Sequence, residues 1–228
     1  MADRREIVPI RCRAPGNDKS LARMVSTRSQ CEAASGITSV ALLLTWSKTS
    51  LDVSALLKEG RHGGEARIWL QHMTWMHALL SASMSIMHPD MYAKGRTAMI
   101  KLWNNACASG HTEMLDVLRI WPSIYGSLSL MVNRKSPYHQ DKNGKLESFD
   151  QLLTVGEYSQ LHLSFPTLRL HFAYPPGTVM AFSGKMLAHS VPHVQSDENR
   201  ACVAWYMQHR VHRETQVSPC NFAHTQDL

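Results

Sequence analysis

The sequence contains few of the features that mark secreted or zinc-binding proteins. Its five cysteines are odd in number and widely scattered, and no two have the close spacing of a zinc knuckle or a redox motif. A reducing compartment with mostly inert thiols fits this pattern best. The region after Met1 lacks the apolar core of a secretory signal, so the cytoplasm or nucleus is expected by elimination. The cysteines are Cys12, Cys31, Cys107, Cys202 and Cys220.

Long hydrophobic runs are also missing. The longest apolar run, Ile37–Trp46, is about half the length needed to cross a bilayer, and we expect it to form a buried strand. The chain contains no internal repeat or low-complexity tract, and its hydrophobic fraction of 44% argues against global disorder. A length of 228 residues is sufficient for one domain with a substantial core.

Positive charge is in excess, with a formal net charge of +6 and a sequence pI near 9.2. This excess is compatible with an anionic partner but is not concentrated enough to establish one. Seven of the 24 lysines and arginines precede residue 30, in a segment that we interpret as a mobile basic terminus in preference to a phosphate-contacting arm. These residues are Arg4, Arg5, Arg11, Arg13, Lys19, Arg23 and Arg28.

The chain divides by pattern into a short N-terminal segment and one domain. Residues 1–35 are polar, basic and interrupted by Pro and Gly, so we expect partly irregular structure there. Residues 36–228 form the domain, with a supporting helical part over 65–121 and a strand-rich core over 124–210.

Three helices are predicted in the helical part. The first covers Glu65–Met87, where apolar residues recur at three- and four-residue intervals, and Pro89 ends it. The others cover Asp90–Ala108 and Thr112–Ile120. The apolar stripe of the first helix is expected to pack on a sheet in preference to lining a pocket. Its members are Ile68, Trp69, Met73, Met76, Leu79, Leu80 and Met84.

Short strands are predicted from residue 124 onward, separated by turn residues. This spacing is typical of a sandwich or barrel, and helices that precede the strands would cover one sheet, which makes the fold class α+β. The cluster His209–Arg213 is interpreted as a solvated strand end in preference to a phosphate contact. The predicted strands are Ser127–Arg134, Asp150–Tyr158, Leu161–Phe165, Leu168–Tyr174, Thr178–Phe182, Leu187–Val194 and Ala201–Gln208.

A His-X-Asp motif in this part of the chain predicts a metal site. Residues two apart in an extended segment point to the same face, so His139 and Asp141 can both reach one ion. A third ligand must come from another strand, where His189 is placed to supply it. Two imidazoles and one carboxylate form a facial triad for Fe(II). Arg200, which begins the following strand, is suited to bind a carboxylate of a co-substrate.

Several segments of this region resemble the 2-oxoglutarate/Fe(II)-dependent dioxygenases. Within that superfamily, the chain is most similar to the nucleic-acid-modifying TET/JBP branch, in particular to its compact fungal members. The resemblance covers roughly residues 85–213 and implies a double-stranded β-helix, a jelly-roll or cupin-like core with helices packed on one sheet. The segments that carry it are Met87–Tyr92, Arg119–Ser123, Val132–Asp141, Leu152–Tyr158, Tyr174–Val179 and His189–Arg200.

The resemblance implies a role for each residue of the motif. His139, Asp141 and His189 would bind Fe(II), and Arg200 would pair with the distal carboxylate of 2-oxoglutarate, with O₂ as the second co-substrate. His189 is preferred to His193 as the third ligand, because its spacing to Arg200 fits the family.

Residues beside the motif are candidates for contact with a substrate. Asn133 and Arg134 lie where related enzymes contact the target nucleotide. Gln140 is a candidate for the rim of the site. Asn133 could equally cap the turn that leads into the metal loop. Tyr138 is expected to pack, while Ser183 and Tyr206 are minor candidates for hydrogen bonds to 2-oxoglutarate.

The resemblance implies oxidation of methyl groups on nucleobases in DNA. The two expected reactions are conversion of 5-methylcytosine to 5-hydroxymethylcytosine and further products, and demethylation of N6-methyladenine. The alternatives are a protein hydroxylase of the same superfamily and a non-catalytic metal-binding barrel. We expect a nuclear monomer that binds methylated DNA and no membrane, with the cytoplasm as the alternative location.

The segment Ser164–Leu168 departs from the family, because it lacks a glycine-rich turn.

Overall fold

The computed structural model describes residues 38–46, 51–58, 63–142, 144–192 and 198–224. The basic segment over residues 1–35 and the alternative ligand His193 lie outside the described residues. None of the described helices is long and apolar enough to cross a membrane. The described residues form five helices and ten strands.

Four helices precede most of the strands, and a fifth follows them. The predicted boundaries of the second and third helices are confirmed to within two residues. The predicted helix Glu65–Met87 is instead two helices that meet at Met73, where the Thr74 hydroxyl donates to the Leu70 carbonyl. The helices are α1 (Gly63–His72), α2 (Thr74–Met87), α3 (Pro89–Ser109), α4 (Thr112–Arg119) and α5 (His209–Thr215).

The strands form two antiparallel sheets. The six-stranded major sheet has the order β2-β1-β3-β10-β5-β8, and the four-stranded minor sheet has the order β4-β9-β6-β7. The strands are β1 (Thr38–Trp46), β2 (Leu51–Val53), β3 (Ser127–Val132), β4 (Ser136–His139), β5 (Asp150–Glu157), β6 (His162–Phe165), β7 (Leu170–Ala173), β8 (Val179–Phe182), β9 (His189–Val191) and β10 (Asn199–Tyr206).

The major sheet separates two hydrophobic cores. Its outer face packs against the helices through residues such as Leu128, Leu130 and Trp205. Its inner face meets the minor sheet through a smaller cluster that contains Leu163, Phe165 and several other residues. The result is an α+β double-stranded β-helix whose helices cover one sheet, as the sequence predicts.

Three elements escaped the sequence prediction. Strand β4 contains Pro137, and it lies at the edge of the minor sheet, where a missing backbone N–H costs no ladder bond. Strand β2 has only three residues. The interpretation of His209–Arg213 as a strand end is wrong, because these residues begin helix α5 and bury Val211 and His212.

The apolar stripe predicted for the first helix is only partly correct. Leu80 and Met84 are buried in the core, as expected. Leu79 is 67% exposed and belongs to a second apolar face of α2 together with Trp75 and Ile86. Residues 75, 79 and 86 share one side of a helix because they recur at intervals near 3.6 residues. This side points away from the core.

The β6–β7 turn explains the departure from a glycine-rich sequence. Residues Pro166–Leu168 form a 3₁₀ turn, and Arg169 then adopts a left-handed conformation with φ of 54°. Glycine is the residue that takes this conformation most readily. Here Arg169 takes it instead, so the chain turns without a glycine-rich segment. The predicted strand Leu168–Tyr174 therefore begins later, at Leu170.

A histidine is buried without a hydrogen-bond partner in the helical core. His77 lies edge-on between Trp121 and Trp205, with ring centroids 5.3 and 5.4 Å away. Neither ring nitrogen of His77 has a hydrogen-bond partner among the described residues. Burial lowers the pKa of His77 to about 4, compared with an ordinary value of 6.5. Folding therefore requires the neutral imidazole.

His77 is predicted to make the fold acid-sensitive. As pH falls from about 6.5 to about 4, the unfolded chain binds a proton that the folded chain excludes, so stability decreases. The difference between the two pKa values corresponds to about 3 kcal/mol. In His77→Phe this contribution disappears, and at about pH 5 the wild type should have lost about 2 kcal/mol more than the variant.

Urea unfolding at neutral and acidic pH measures this effect. The exposed His72 of α1 supplies the control, since His72→Phe is expected to retain the wild-type pH profile. If the free energy of unfolding fell equally on acidification in the wild type and in His77→Phe, His77 would not be the cause of the acid sensitivity.

Candidate active site

The minor sheet and the loop after β4 bring the three predicted metal ligands together. His139 ends β4 and pairs directly with His189, which begins β9. The two imidazole centroids are 4.3 Å apart, and Nε2 of His139 lies 3.8 Å from Oδ1 of Asp141. One donor atom from each of the three residues lies within 4.8 Å of the others. The three side chains are thus close enough to hold one metal ion, while their role as a facial triad stays a prediction.

Hydrogen bonds orient both imidazoles. The Nδ1 atom of His139 lies 2.8 Å from the Pro137 carbonyl oxygen, and that of His189 lies 3.0 Å from the Leu187 carbonyl oxygen. A carbonyl oxygen only accepts, so each Nδ1 carries a hydrogen, and in the neutral ring Nε2 then keeps its lone pair for a metal ion. Burial also lowers the pKa of His189, which favours the neutral ring. Two neutral imidazoles and a carboxylate fit a divalent iron ion.

Gly184 provides the space that the Asp141 carboxylate occupies. The Asp141 N–H donates to the Gly184 carbonyl at 2.9 Å. A Cβ atom at position 184 would overlap Oδ2 of Asp141 and lie 2.9 Å from Oδ2 of Asp150. Any other residue at this position must therefore displace one or both carboxylates.

A second carboxyl group lies behind the triad. Asp150 begins β5 and is buried. Burial, together with the negative charge of Asp141, raises the pKa of Asp150 to about 8. Asp150 therefore holds a proton at neutral pH and adds no negative charge behind the triad.

Arg200 is buried at the other end of the barrel interior. Its Nε donates to the Thr154 hydroxyl at 3.0 Å, and its Cζ lies 5.3 Å from the centre of the Tyr174 ring. The Tyr158 hydroxyl bonds to the Thr154 hydroxyl at 2.9 Å and donates to the Tyr174 carbonyl at 2.8 Å. Among the described residues, Arg200 forms no salt bridge with a carboxylate.

A buried cation without an anion is costly, so this pocket suits a carboxylate ligand. Arg200 pairs with Gly156 near the end of β5, whereas Asp141 contacts Gly184 near the start of β5. The donor set and the unpaired arginine fit Fe(II) and 2-oxoglutarate.

The predicted substrate contact Asn133 is used within the chain. It has a φ of 49°, and its Oδ1 accepts a hydrogen bond of 2.7 Å from the Arg200 backbone N–H. Its own N–H donates to the Arg200 carbonyl, and its Nδ2 lies 3.3 Å from Oδ1 of Asn199. This geometry favours the turn-capping alternative, while contact with a substrate stays a prediction.

The other candidates occupy different positions around the site. Arg134 is half-buried, with Nη1 3.5 Å from the Met131 sulfur. Gln140 is exposed and donates to the Met186 carbonyl at 2.9 Å, as a rim residue would. The expectation that Tyr138 packs is wrong, because its side chain is 60% exposed. Residues on an edge strand alternate between the two faces, and Tyr138 faces outward.

The two minor candidates for co-substrate binding are not close to Arg200. Tyr206 lies on the same face of β10, but six residues separate it from Arg200, about 20 Å along a strand. Its hydroxyl lies 3.2 Å from the Ser129 hydroxyl. Ser183 bonds to the Lys145 carbonyl and to the Met186 N–H.

Sequence reasoning missed the residues that support the site, namely Gly184, Asp150, Thr154, Tyr158 and Tyr174. The available signal was strand alternation: Thr154 is two residues from Leu152 and therefore lies on the same, inner face of β5. Its contact with Arg200 depends on the pairing of Cys202 with Thr154 between β10 and β5. Strand periodicity alone does not specify this register.

Residues 58–209, two thirds of the chain, match the model of the Tet_JBP family, described as the oxygenase domain of the 2OGFeDO superfamily. Among curated protein sequences, none matches the chain.

Solved structures with the same fold include NgTET1 in complex with 5mC DNA. It has a TM-score of 0.54 and 11% sequence identity, over 92% of this chain and 74% of that chain. The viral collagen prolyl hydroxylase vCPH from Paramecium Bursaria Chlorella virus-1, in its 2OG complex, has a TM-score of 0.30 and 14% identity over 36% of this chain and 57% of that chain.

Gly184→Ala is predicted to weaken metal binding. The added methyl group overlaps the Asp141 carboxylate and must turn it away from the two imidazoles. Misplacing a ligand in this way should reduce affinity for Fe(II) or Mn(II) by about 10- to 100-fold, measured by anaerobic calorimetric titration. Gly144→Ala is the matched control, because its Cβ would lie 3.5 Å from the Lys185 Cβ, an ordinary contact. Equal affinity in both variants would contradict the role of Gly184.

Asn133→Gly distinguishes the two roles of Asn133. Glycine tolerates the positive φ, so the substitution removes only the amide hydrogen bonds. We expect the free energy of unfolding to fall by about 1 kcal/mol and the KM for 2-oxoglutarate to rise, because Arg200 loses its tether. Denaturant titration and succinate assays measure these effects. A loss of oligonucleotide affinity with an unchanged KM for 2-oxoglutarate would support substrate contact instead.

Proposed function

The chain belongs to the Tet_JBP family of oxygenase domains of the 2OGFeDO superfamily, and we propose that it oxidises methyl groups on nucleobases in DNA. It is a dioxygenase that uses Fe(II) and 2-oxoglutarate. The observation that carries the proposal is that one barrel interior contains both the His139–Asp141–His189 cluster and the buried Arg200, which has no salt bridge to a carboxylate among the described residues.

The residues of the triad would hold the iron on one face. His139 and Asp141 come from the end of β4 and the loop after it, and His189 comes from β9. When bound, Fe(II) and 2-oxoglutarate together activate O₂ for the oxidation of a substrate C–H bond. Three protein ligands leave other coordination positions open for co-substrates.

The chain orients 2-oxoglutarate through the Arg200 pocket. The arginine is suited to bind the distal carboxylate through two parallel hydrogen bonds. Thr154 fixes the Nε edge of the guanidinium, and the Tyr174 ring supports its face. Arg200, Tyr174 and Cys202 are all buried, so this end of the barrel is little exposed to solvent. Interactions with the charged carboxylate gain strength in such surroundings.

The substrate class rests on family membership and on the likeness to NgTET1, a protein solved with 5mC DNA. The net charge of +6 also suits a polyanion. A base inside a duplex cannot reach a buried metal, so the target nucleotide must be flipped out or single-stranded. We favour 5-methylcytosine, with N6-methyladenine as the second candidate. With DNA as the substrate, the proposed place of action is the nucleus.

Product analysis tests the proposal. The anaerobically Fe(II)-loaded protein is mixed with 2-oxoglutarate and air, and with oligonucleotides that carry 5-methylcytosine, N6-methyladenine or no methyl group. We expect succinate, and oxidised nucleosides from one methylated oligonucleotide after digestion and mass spectrometry.

Two variants control this experiment. Asp141→Ala removes the charged ligand and should abolish succinate formation. Arg200→Gln should raise the KM for 2-oxoglutarate at least tenfold, because a charge-assisted pair contributes about 1.5–3 kcal/mol. Succinate without any altered nucleoside would reject DNA as the substrate and favour a protein hydroxylase. Full turnover by Asp141→Ala would reject the triad.

A further inference from the structure

We propose that a basic rim beside the triad binds the phosphate backbone of the nucleic acid substrate, an inference that rests on the proposed function. The basic rim comprises Lys142, Lys145 and Lys185 next to the triad, and Lys94, Arg210 and Arg213 on the adjoining helices.

The first part of the basic rim is attached directly to the ligand Asp141. Lys142 follows Asp141 in the chain, and Lys185 follows Gly184, the residue that makes room for the Asp141 carboxylate. The Lys185 ammonium donates to the Lys142 carbonyl at 3.0 Å. Each lysine is therefore the chain neighbour of a residue that forms the candidate metal site.

Lys145 connects this part to helix α5. The Lys145 carbonyl accepts hydrogen bonds from the Ser183 hydroxyl and the Ser148 N–H, so the loop is held against the end of β8. The positive charges of Lys145 and Arg213 add to the burial that lowers the pKa of His209. Burial, with His209, Lys145 and Lys94 close by, also lowers the pKa of His212.

Helix α5 adds further cations at its exposed side. Arg210 and Arg213 are three residues apart and therefore neighbours on the helix surface. The cations of the rim outnumber the acidic groups beside them. Glu214 lies 3.7 Å from Nε of Arg213, and Glu147 is half-buried. The rim thus has six cations from four separate parts of the chain, which sequence order alone does not reveal.

Phosphate is the chemistry that fits this arrangement. A nucleotide whose base reaches the triad has its own and neighbouring phosphates at the rim, and lysines and arginines make most sequence-independent contacts to such groups. The rim would therefore hold the strand on either side of the target nucleotide and would contribute affinity without choosing the base.

Charge-removing variants test the rim by fluorescence anisotropy with a methylated oligonucleotide over a range of salt concentrations. Lys142→Gln/Lys185→Gln removes the two cations beside the triad, and Arg210→Gln/Arg213→Gln removes the two on α5. Each pair should weaken binding about tenfold at low salt. The slope of log Kd against log salt should fall by about 0.9 for each phosphate that the variant no longer neutralises. Circular dichroism verifies that each variant is folded.

Arg96→Gln/Arg119→Gln is the matched control, since it also removes two positive charges. Arg96 lines a groove of about 320 Å³ on the helical side, and Arg119 lies over the Trp103 ring. This variant should keep the wild-type affinity and salt slope, apart from a small effect of net charge. If all three variants lost the same oligonucleotide affinity, net charge alone would explain the effect, and the proposed role of the basic rim would be overturned.

Product analysis of the same oligonucleotides separates failure of the rim from failure of the proposed function. Oxidised nucleosides together with unchanged affinity in both rim variants would overturn the rim and leave the function intact. Unaltered nucleosides together with weaker binding in the rim variants would support the rim and reject the reaction. Wild-type binding to phosphatidylserine vesicles but not to oligonucleotides would assign these cations to a membrane surface and overturn the proposal.

Discussion

The fold and the site both depend on the alternation of side chains along β10, in the interior of the major sheet. Val203 and Trp205 point to the helices and anchor one core, while Arg200 and Cys202 point into the barrel. Pairing with β3 on one side and β5 on the other fixes this register. A slip of one residue would exchange the two faces and place the arginine in the helical core. Core packing therefore positions Arg200, the proposed co-substrate anchor.

The cluster of candidate metal ligands could be predicted from the sequence because its geometry follows from local rules. His139 and Asp141 share a face by strand periodicity, and His189 and Arg200 followed from strand order and the resemblance. Their supporting residues depend on contacts across strands, which periodicity does not specify. Gly184 illustrates this, since its importance is visible only when the Asp141 carboxylate fills the space that a Cβ would need.

The errors in secondary structure have similar causes. Pro137 argues against a strand in general but is tolerated on an edge strand, and position in a sheet is a tertiary property. Helix α2 has two apolar sides, so periodicity identified a helix but not the side that faces the core. Leu80 and Met84 are buried, whereas Trp75 and Leu79 are exposed. Helix α5 is short, and its histidines and arginines hide the buried Val211.

The edge position of β4 has a consequence for the dynamics of the metal-free chain. Of the described strands, β4 pairs only with β9, through Ser136 and His139 with an irregularity between them. Local opening should therefore begin there, since edge segments with few ladder bonds have the lowest opening free energies. An ion bound by residues of both strands would act as a cross-link that closes this edge. Amide hydrogen exchange in β4 would then report metal occupancy independently of catalysis.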